Sequence, residues 1–372
     1  MAEYLTNTAD LTAVADAIRA KGGTAAQLVY PDGFVSAIQA IQTGAPLQIV
    51  VTTSAGATVT ATKGSKTVSG TADASGSCTL TVDEAGTWSV VVTLGATTKQ
   101  QDVVVGTSSV VIEFISAVLN DNDWETIRAV SDKGEGANYW SIGDRKAVTL
   151  NGTVGALSLS SFTTYAFIIG FNHNSSVEGA NRIHFQLAKT ALSGGTDVAL
   201  CDGYYDSYGG GFRMNTSITN SGGWNASNMR KKICGTSLSS YSGTILAVIP
   251  EALRAVLKSV TKYTDNTGNK SSSASAVTAT TDYFFLLSEY EVLGSISHAN
   301  SYERNKQAQY SYYSAGNSKV KYKHNEITTA AAWWLRSPIA GYSDGFVFVV
   351  INGRSAPGNA RNSYGFAPGF CV

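Results

Sequence analysis

The chain is poor in charge, cysteine, histidine, methionine and long apolar runs. Of its 372 residues 15% are charged, and 27 basic residues balance 27 acidic ones. A nucleic-acid-binding protein carries a basic stripe, and no such run is present. No apolar run is long enough to cross a bilayer, and the N-terminus lacks a basic stretch followed by an apolar one. Neither membrane insertion nor export by a leader is therefore expected. Cys78, Cys201, Cys234 and Cys371 are far apart and form no Cys-x-x-Cys pair. That argues against zinc and for small buried thiols in a reducing cytoplasm, with a Cys201–Cys234 disulfide as the alternative. The four histidines (His173, His184, His298 and His324) show no His-Glu-x-x-His and no i, i+4 pair. There is no Gly-x-Ser-x-Gly elbow, and Gly209-Gly210-Gly211 lacks the Lys and Ser/Thr of a phosphate loop. No catalytic residue, metal or cofactor is assigned, and the chain is not read as an enzyme.

What the chain has in plenty is glycine (37) and tyrosine (18), with much Thr, Ser and Asn. This composition fits strands joined by many turns, under a polar and aromatic surface.

Three blocks follow in order. Residues 1–45 carry helical periodicity: Leu11, Val14 and Ile18 on one stripe behind a Thr8 or Asp10 cap, a Gly22-Gly23 stop, then Pro31 opening a second helix with Phe34, Ile38 and Ile41. Two such helices cannot bury a core alone, so they are expected to pack on another chain, another copy or the next domain. Gly44-Ala45-Pro46 reads as a linker. Residues 46–106 alternate apolar and polar, as in Ala57-Thr58-Val59-Thr60-Ala61 and Trp88-Ser89-Val90-Val91-Val92. Turn signals between the runs predict a small β-sandwich.

In residues 107–372, Asp121 or Asp123 is placed to cap a helix through Trp124, Ile127 and Val130. The Asn120–Asp123 cluster lacks the glycine and distal glutamate of a calcium loop. Strands are expected at 146–150, 165–171, 183–187 and 284–288, and helices after Asn225 or Ser227 and after Pro250. The stretches 264–281 and 299–317 read as exposed polar loops. Asp144, Arg145, Arg230 and Arg336 are expected to form internal ion pairs.

Trp333-Trp334-Leu335-Arg336-Ser337-Pro338 reads as a buried strand ending at a proline. Trp333, Trp334 and Arg336 are scaffold on this reading. Residues 339–372 then contain no Lys, Glu, Gln, Met or Trp. Tyr342, Ser343, Asp344, Phe346, Phe348, Asn352, Arg354, Ser355, Asn359, Arg361 and Asn362 alternate there with Gly and Pro. This is the residue mix of antibody paratopes, rigid aromatics among adaptable small polar groups. In Gly345 to Ile351 alternate residues face opposite ways. Either Val347 and Val349 or Phe346 and Phe348 face the core, and outward phenylalanines would form an apolar binding patch.

The N-terminal block resembles the helical module of tail and baseplate-associated proteins of bacteriophages and prophages. The second resembles Ig-like spacer domains of surface and virion proteins. An ordered set of motifs in the third block resembles a C-type-lectin-like family common in phage and gut-bacterial genomes. The set comprises Trp140-Ser141-Ile142-Gly143-Asp144, Gly222-Gly223-Trp224 with Met229-Arg230, Leu286-Leu287-Ser288 with Glu289 and Glu291, Trp333 to Pro338, and Ser363 to Phe370. That family is akin to the formylglycine-generating enzyme and to variable proteins of diversity-generating retroelements. The resemblance implies a multidomain protein: a helical attachment module (1–45), an Ig-like sandwich (46–106) and an α+β C-type-lectin-like domain (107–372). It also implies a ligand face at about 339–372, diversified through adenine-rich codons in some members. The calcium-lectin triplets Glu-Pro-Asn, Gln-Pro-Asp and Trp-Asn-Asp are missing, as is the cysteine pair of the formylglycine-generating enzyme.

The expected function is that of a phage or prophage tail protein that binds a host cell-surface protein or glycan. Its other partners would be virion proteins through residues 1–45 and further copies of itself, a trimer in preference. It would be made in the bacterial cytoplasm and act outside it on the virion tail. A bacterial surface adhesin is the first alternative. A glycan-degrading tail enzyme is the second, and would require facing carboxylates in a cleft.

Overall fold

Alternation of β-branched and polar residues shapes the first part of the described chain. The computed structural model describes residues 8–21, 27–29, 32–40, 46–53, 55–94, 97–106, 108–116 and 118–372. The side chains of Thr8 and Asp10, together with Gly22-Gly23, Pro31, Ile41 and Gly44-Ala45, lie outside the described residues. The chain divides into two compact units, one of residues 1–52, 57–72 and 77–113, the other of 53–56, 73–76 and 114–372.

The first unit contains a four-stranded antiparallel sheet in the order Lys66–Thr71, Thr58–Lys63, Gly86–Leu94, Thr97–Val105. A three-stranded sheet runs Ser77–Val82, Leu47–Thr52, Val110–Glu113, its last pair parallel. Alternate residues are buried (Ile49, Val51, Val59, Ala61, Leu80, Val82, Val90, Val92), with Trp88 as the largest side chain among them. Ahead of these strands stand two short helices, Thr8–Ala20 and Asp32–Ala40.

The expected fold class does not hold. Among the described residues strands account for 38% and helices for 22%, with no clearly helical N-terminal module. The two helices share a cluster of four buried side chains, Ala15, Ile18, Phe34 and Ala37. That is too little apolar surface for an independent unit. A predominantly β protein of several sheets replaces the expected succession of helical module, Ig-like sandwich and α+β C-type-lectin-like domain.

The second unit is built on a five-stranded antiparallel sheet in the order Phe284–Phe285, Gly369–Cys371, Ile183–Lys189, Leu157–Phe171, Arg145–Val154. The C-terminal strand is thus interior, which explains why Phe370, Cys371 and Val372 are buried. Asp123 caps the helix Trp124–Asp132, its Oδ1 accepting from Thr126 N at 2.6 Å. Trp124 packs edge-on against Phe185 and Phe370.

Two stretches expected as exposed loops are so only in part. Val260–Asp265 pairs antiparallel with Val277–Asp282, so 264–265 and 277–281 are strand, while the segment between them is a largely exposed connection. Thr280 and Asp282 face inward, where Asp282 accepts from Trp224 Nε1 at 3.1 Å and pairs with Arg230 at 2.6 Å. In 299–317, Tyr310, Tyr312 and Tyr313 are core residues. A polar composition misled here because its hydroxyls and amides are satisfied internally.

Candidate ligand-binding surface

Trp333–Pro338, Gly345–Val349 and Ser355–Asn359 form a three-stranded antiparallel sheet with Gly345–Val349 in the middle. A middle strand covered on both faces reads as a continuous apolar run. Phe346, Val347, Phe348 and Val349 are all buried, so neither phenylalanine forms an exposed patch. Phe348 stacks under Tyr364 at 4.4 Å between ring centroids and meets Trp334 edge-on. Trp333 and Trp334 donate their indole N–H groups to Lys319 O at 3.0 Å and Phe212 O at 2.9 Å.

The remaining expected binding residues fall at opposite ends of the 345–359 hairpin. At its closed end, Asn352 Oδ1 accepts from Arg354 N at 3.2 Å, and both side chains are exposed. Ser355 is not free for a ligand. It donates to Glu289 Oε1 at 2.8 Å, and that carboxylate also accepts from the backbone N–H groups of Ser297, His298 and Ala299.

At the open end, the chain from Asp202 to Asn220 is laced to both flanks of the hairpin. Gly209 N donates to Arg361 O, Ser363 N to Ser207 O, Asp206 N to Ser363 O and Asn215 N to Ala360 O. Ala360 N donates to Asp344 O, and Asn220 N to Ser343 O. The buried Asn220 amide donates further to Tyr342 O and Gly345 O, both at 2.9 Å. Above this backbone stand side chains that the solvent reaches. Tyr204, Tyr208 and Tyr342 are 52%, 53% and 64% exposed. Arg361 lies over the Tyr208 ring, 4.5 Å from its centroid. Asn359 Oδ1 accepts from Arg361 N at 3.0 Å, and Asn362 Nδ2 donates to Tyr364 Oη at 3.0 Å.

Glycine is required beneath this surface. Gly209 and Gly211 have φ of +93° and +56°. A Cβ at Gly209 would lie 2.9 Å from Arg361 Nη2, and one at Gly211 would collide with the Asp202 carboxylate. Sequence reading missed this contribution of residues 202–213. Asp202-Gly-Tyr-Tyr-Asp-Ser-Tyr-Gly-Gly-Gly has the same Tyr/Gly/Ser/Asp texture as the terminal segment, and that was the available signal.

Elsewhere in the second unit lies a buried charged network. Lys262 Nζ donates to Glu178 Oε2 at 2.6 Å, Glu291 Oε1 at 3.0 Å and Tyr310 Oη at 2.7 Å. Arg336 grips Glu291 with both terminal nitrogens and reaches Thr264 Oγ1 at 2.7 Å through Nε. Burial alone would raise the Glu291 carboxyl, but the charges of Arg336 and Lys262 outweigh it and hold the group well below its ordinary range. Burial pushes Glu178 up to about 7, and Glu303 likewise up to about 7. Burial, reinforced by Lys262, lowers His173 to about 3.

Among the described residues, His173, Glu178 and Glu291 bring donor atoms within 4.8 Å of one another, a grouping that could hold a metal ion. The Lys262 ammonium donates to both glutamates and already supplies the cation there. Of the four residues expected in ion pairs, Arg230 and Arg336 form them. Arg145 instead donates to the carbonyls of Ala191 and Gly194, and Asp144 accepts from Ser141 N at 2.8 Å.

Residues 202–372, less than half of the chain, match a family described as a domain of unknown function (DUF6273). The match begins at Asp202, where the chain enters the exposed surface. It leaves out the strand Ile183–Lys189, with which the C-terminal strand pairs. No curated protein matches the chain.

Proposed function

We propose that this protein is a binding module that recognises a ligand on a host cell surface, carried on a phage or prophage tail. The surface formed by residues 203–210, 342–344 and 359–364 makes the contact. The observation that carries this reading is the group of half-exposed tyrosines with Arg361 and Asn362, mounted on a backbone fixed by hydrogen bonds. Aromatic side chains held on a rigid base contribute contact area at low entropic cost, and neighbouring amide and guanidinium groups add directional contacts. The core carboxylates Glu178, Glu291 and Glu303 are paired with Lys262, Arg336 and Ser337, which favours binding over a glycosidase role. The tail setting rests on the motif resemblance, and several copies on one particle would turn weak contacts into avidity.

The test is a glycan-array and cell-binding assay of the full chain against the triple variant Tyr204→Ala, Tyr208→Ala, Arg361→Ala. Loss of binding at an unchanged melting temperature supports the surface. Undiminished binding by the folded variant overturns it.

A further inference from the structure

Lys189 and Asp197 face each other across the stem of a short hairpin, joined by a β-bridge, with Thr190 N donating to Thr196 O just beyond. Both side chains are buried, and Lys189 Nζ contacts Asp197 Oδ1 directly. Tyr312, also buried, touches both partners. Its hydroxyl accepts from Lys189 Nζ at 2.9 Å and donates to Asp197 Oδ2 at 3.3 Å. A second buried amine, Lys321 Nζ, lies 3.9 Å from Asp197 Oδ2 and has no hydrogen-bond partner among the described residues. The walls are aromatic. Lys189 sits 4.5 Å from the Phe167 centroid, and Lys321 sits 5.1 Å from that of Trp333.

Two ammonium groups around one carboxylate would leave a buried excess of positive charge, to which Arg145 adds. Uncompensated charge is unfavourable in a protein interior. Burial accordingly lowers both amines from their ordinary value, Lys321 to about 8. An amine whose hold on its proton burial weakens, kept against a carboxyl in a buried site, is set up for condensation.

We propose that Lys189 and Asp197 are joined by an intramolecular amide bond formed after folding. A proton leaves the Lys189 ammonium and passes through the Tyr312 hydroxyl to Asp197 Oδ2. The freed amine lone pair attacks Asp197 Cγ, making the N–Cγ bond. The Cγ–Oδ2 bond then breaks, and that oxygen departs as water with the relayed proton and one further amine proton. One water is lost, nothing is oxidised or reduced, and one positive and one negative charge leave the interior together, so the net buried charge is unchanged. Lys321, beside Oδ2, stabilises the negative charge that develops on the carboxyl oxygens. Holding the reacting groups in contact supplies an effective concentration of about 10⁵ M or more. The bond closes the loop 190–196, whose Ala191 and Gly194 carbonyls receive Arg145.

The test is tryptic mass spectrometry of the full chain. The cross-linked protein yields Ile183–Arg213 as one peptide, uncut after Lys189 and lighter by one water. Succinimide formation at Asp197 would also lose water but would leave Lys189 open to cleavage. The variant Lys189→Arg is expected to show the full mass and cleavage after position 189. Recovery from the unaltered protein of Ile183–Lys189 and Thr190–Arg213 at full mass overturns the proposal. A cross-link that forms undiminished in Tyr312→Phe overturns the relay assigned to Tyr312.

Discussion

Arg336 and Glu291 form a two-pronged ion pair in which neither side chain has any exposure to solvent. Glu291 serves a second purpose as well. It closes a capping box on the helix Glu289–Leu293, accepting from Ser288 N while Ser288 Oγ accepts from Glu291 N. One carboxylate therefore ties the Trp333–Pro338 strand to a helix start and, through Lys262, to Glu178.

Removing Arg336 should leave this carboxylate short of a partner. Arg336→Met is expected to cost about 3–5 kcal/mol in denaturant unfolding. Arg336→Lys should recover little, because an ammonium cannot span Glu291, Thr264 Oγ1 and Leu286 O together. A loss within experimental error for either variant would show the network to be dispensable.

Phe348 and Tyr208 are expected to separate stability from recognition. Phe348→Ala opens a cavity beneath Tyr364 and Trp334 and should cost about 3–5 kcal/mol. Tyr208→Ala should stay within about 1 kcal/mol of the parent in the same melts. The cell-binding assay should show the reverse ranking among folded variants, with Tyr208→Ala the more damaged. If retroelement diversification acts on this segment, Phe346 and Phe348 are poor positions for it, since core packing constrains both.

The two ends of the 345–359 hairpin should behave differently. The double variant Asn352→Ala, Arg354→Ala is expected to bind cells as the parent does. Ser355→Ala removes one donor from Glu289 and should lower stability by about 1 kcal/mol. Binding lost in the Asn352/Arg354 variant would move the contact to the hairpin turn.

Glu303 gives a pH dependence with a definite sign. Burial raises its folded-state pKa to about 7, above an unfolded value of about 4.3. Its contribution is thus fully present below pH ~4.3 and is lost as pH rises through ~7, a change of about 3–4 kcal/mol. Glu303→Gln should flatten this limb, so that the variant gains stability over the parent between pH 5 and pH 8. His173 acts in the opposite direction. Its depressed pKa stabilises above ~6.5 and is lost as pH falls toward 3. Melting temperatures across pH 3–9 test both, and a variant whose profile parallels that of the parent would refute the role of Glu303.

Much of the local structure was legible from residue order. The period-two alternation of 46–106 marks real strands, Asp123 caps the helix foreseen at Trp124, and Trp333–Pro338 is a buried strand. These features depend on neighbours in the chain, where spacing and side-chain type suffice. The two N-terminal helices were legible as helices, yet periodicity does not reveal how little they bury together.

Sequence by itself determined the strands of 46–106, the Asp123 cap and the Trp333–Pro338 strand, and it placed an aromatic, small-polar segment after Pro338. Only the tertiary structure decided which of those residues meet solvent. Gly345–Val349 became a middle strand, so both of its faces were covered and Phe346 and Phe348 went inside. Asn220 and the 202–213 chain, more than a hundred residues earlier, were drawn against the same hairpin by backbone hydrogen bonds. The physical reason is that exposure and pairing are properties of contacts between distant segments. A residue's own type fixes its preference for burial but not which other segment will arrive to cover it.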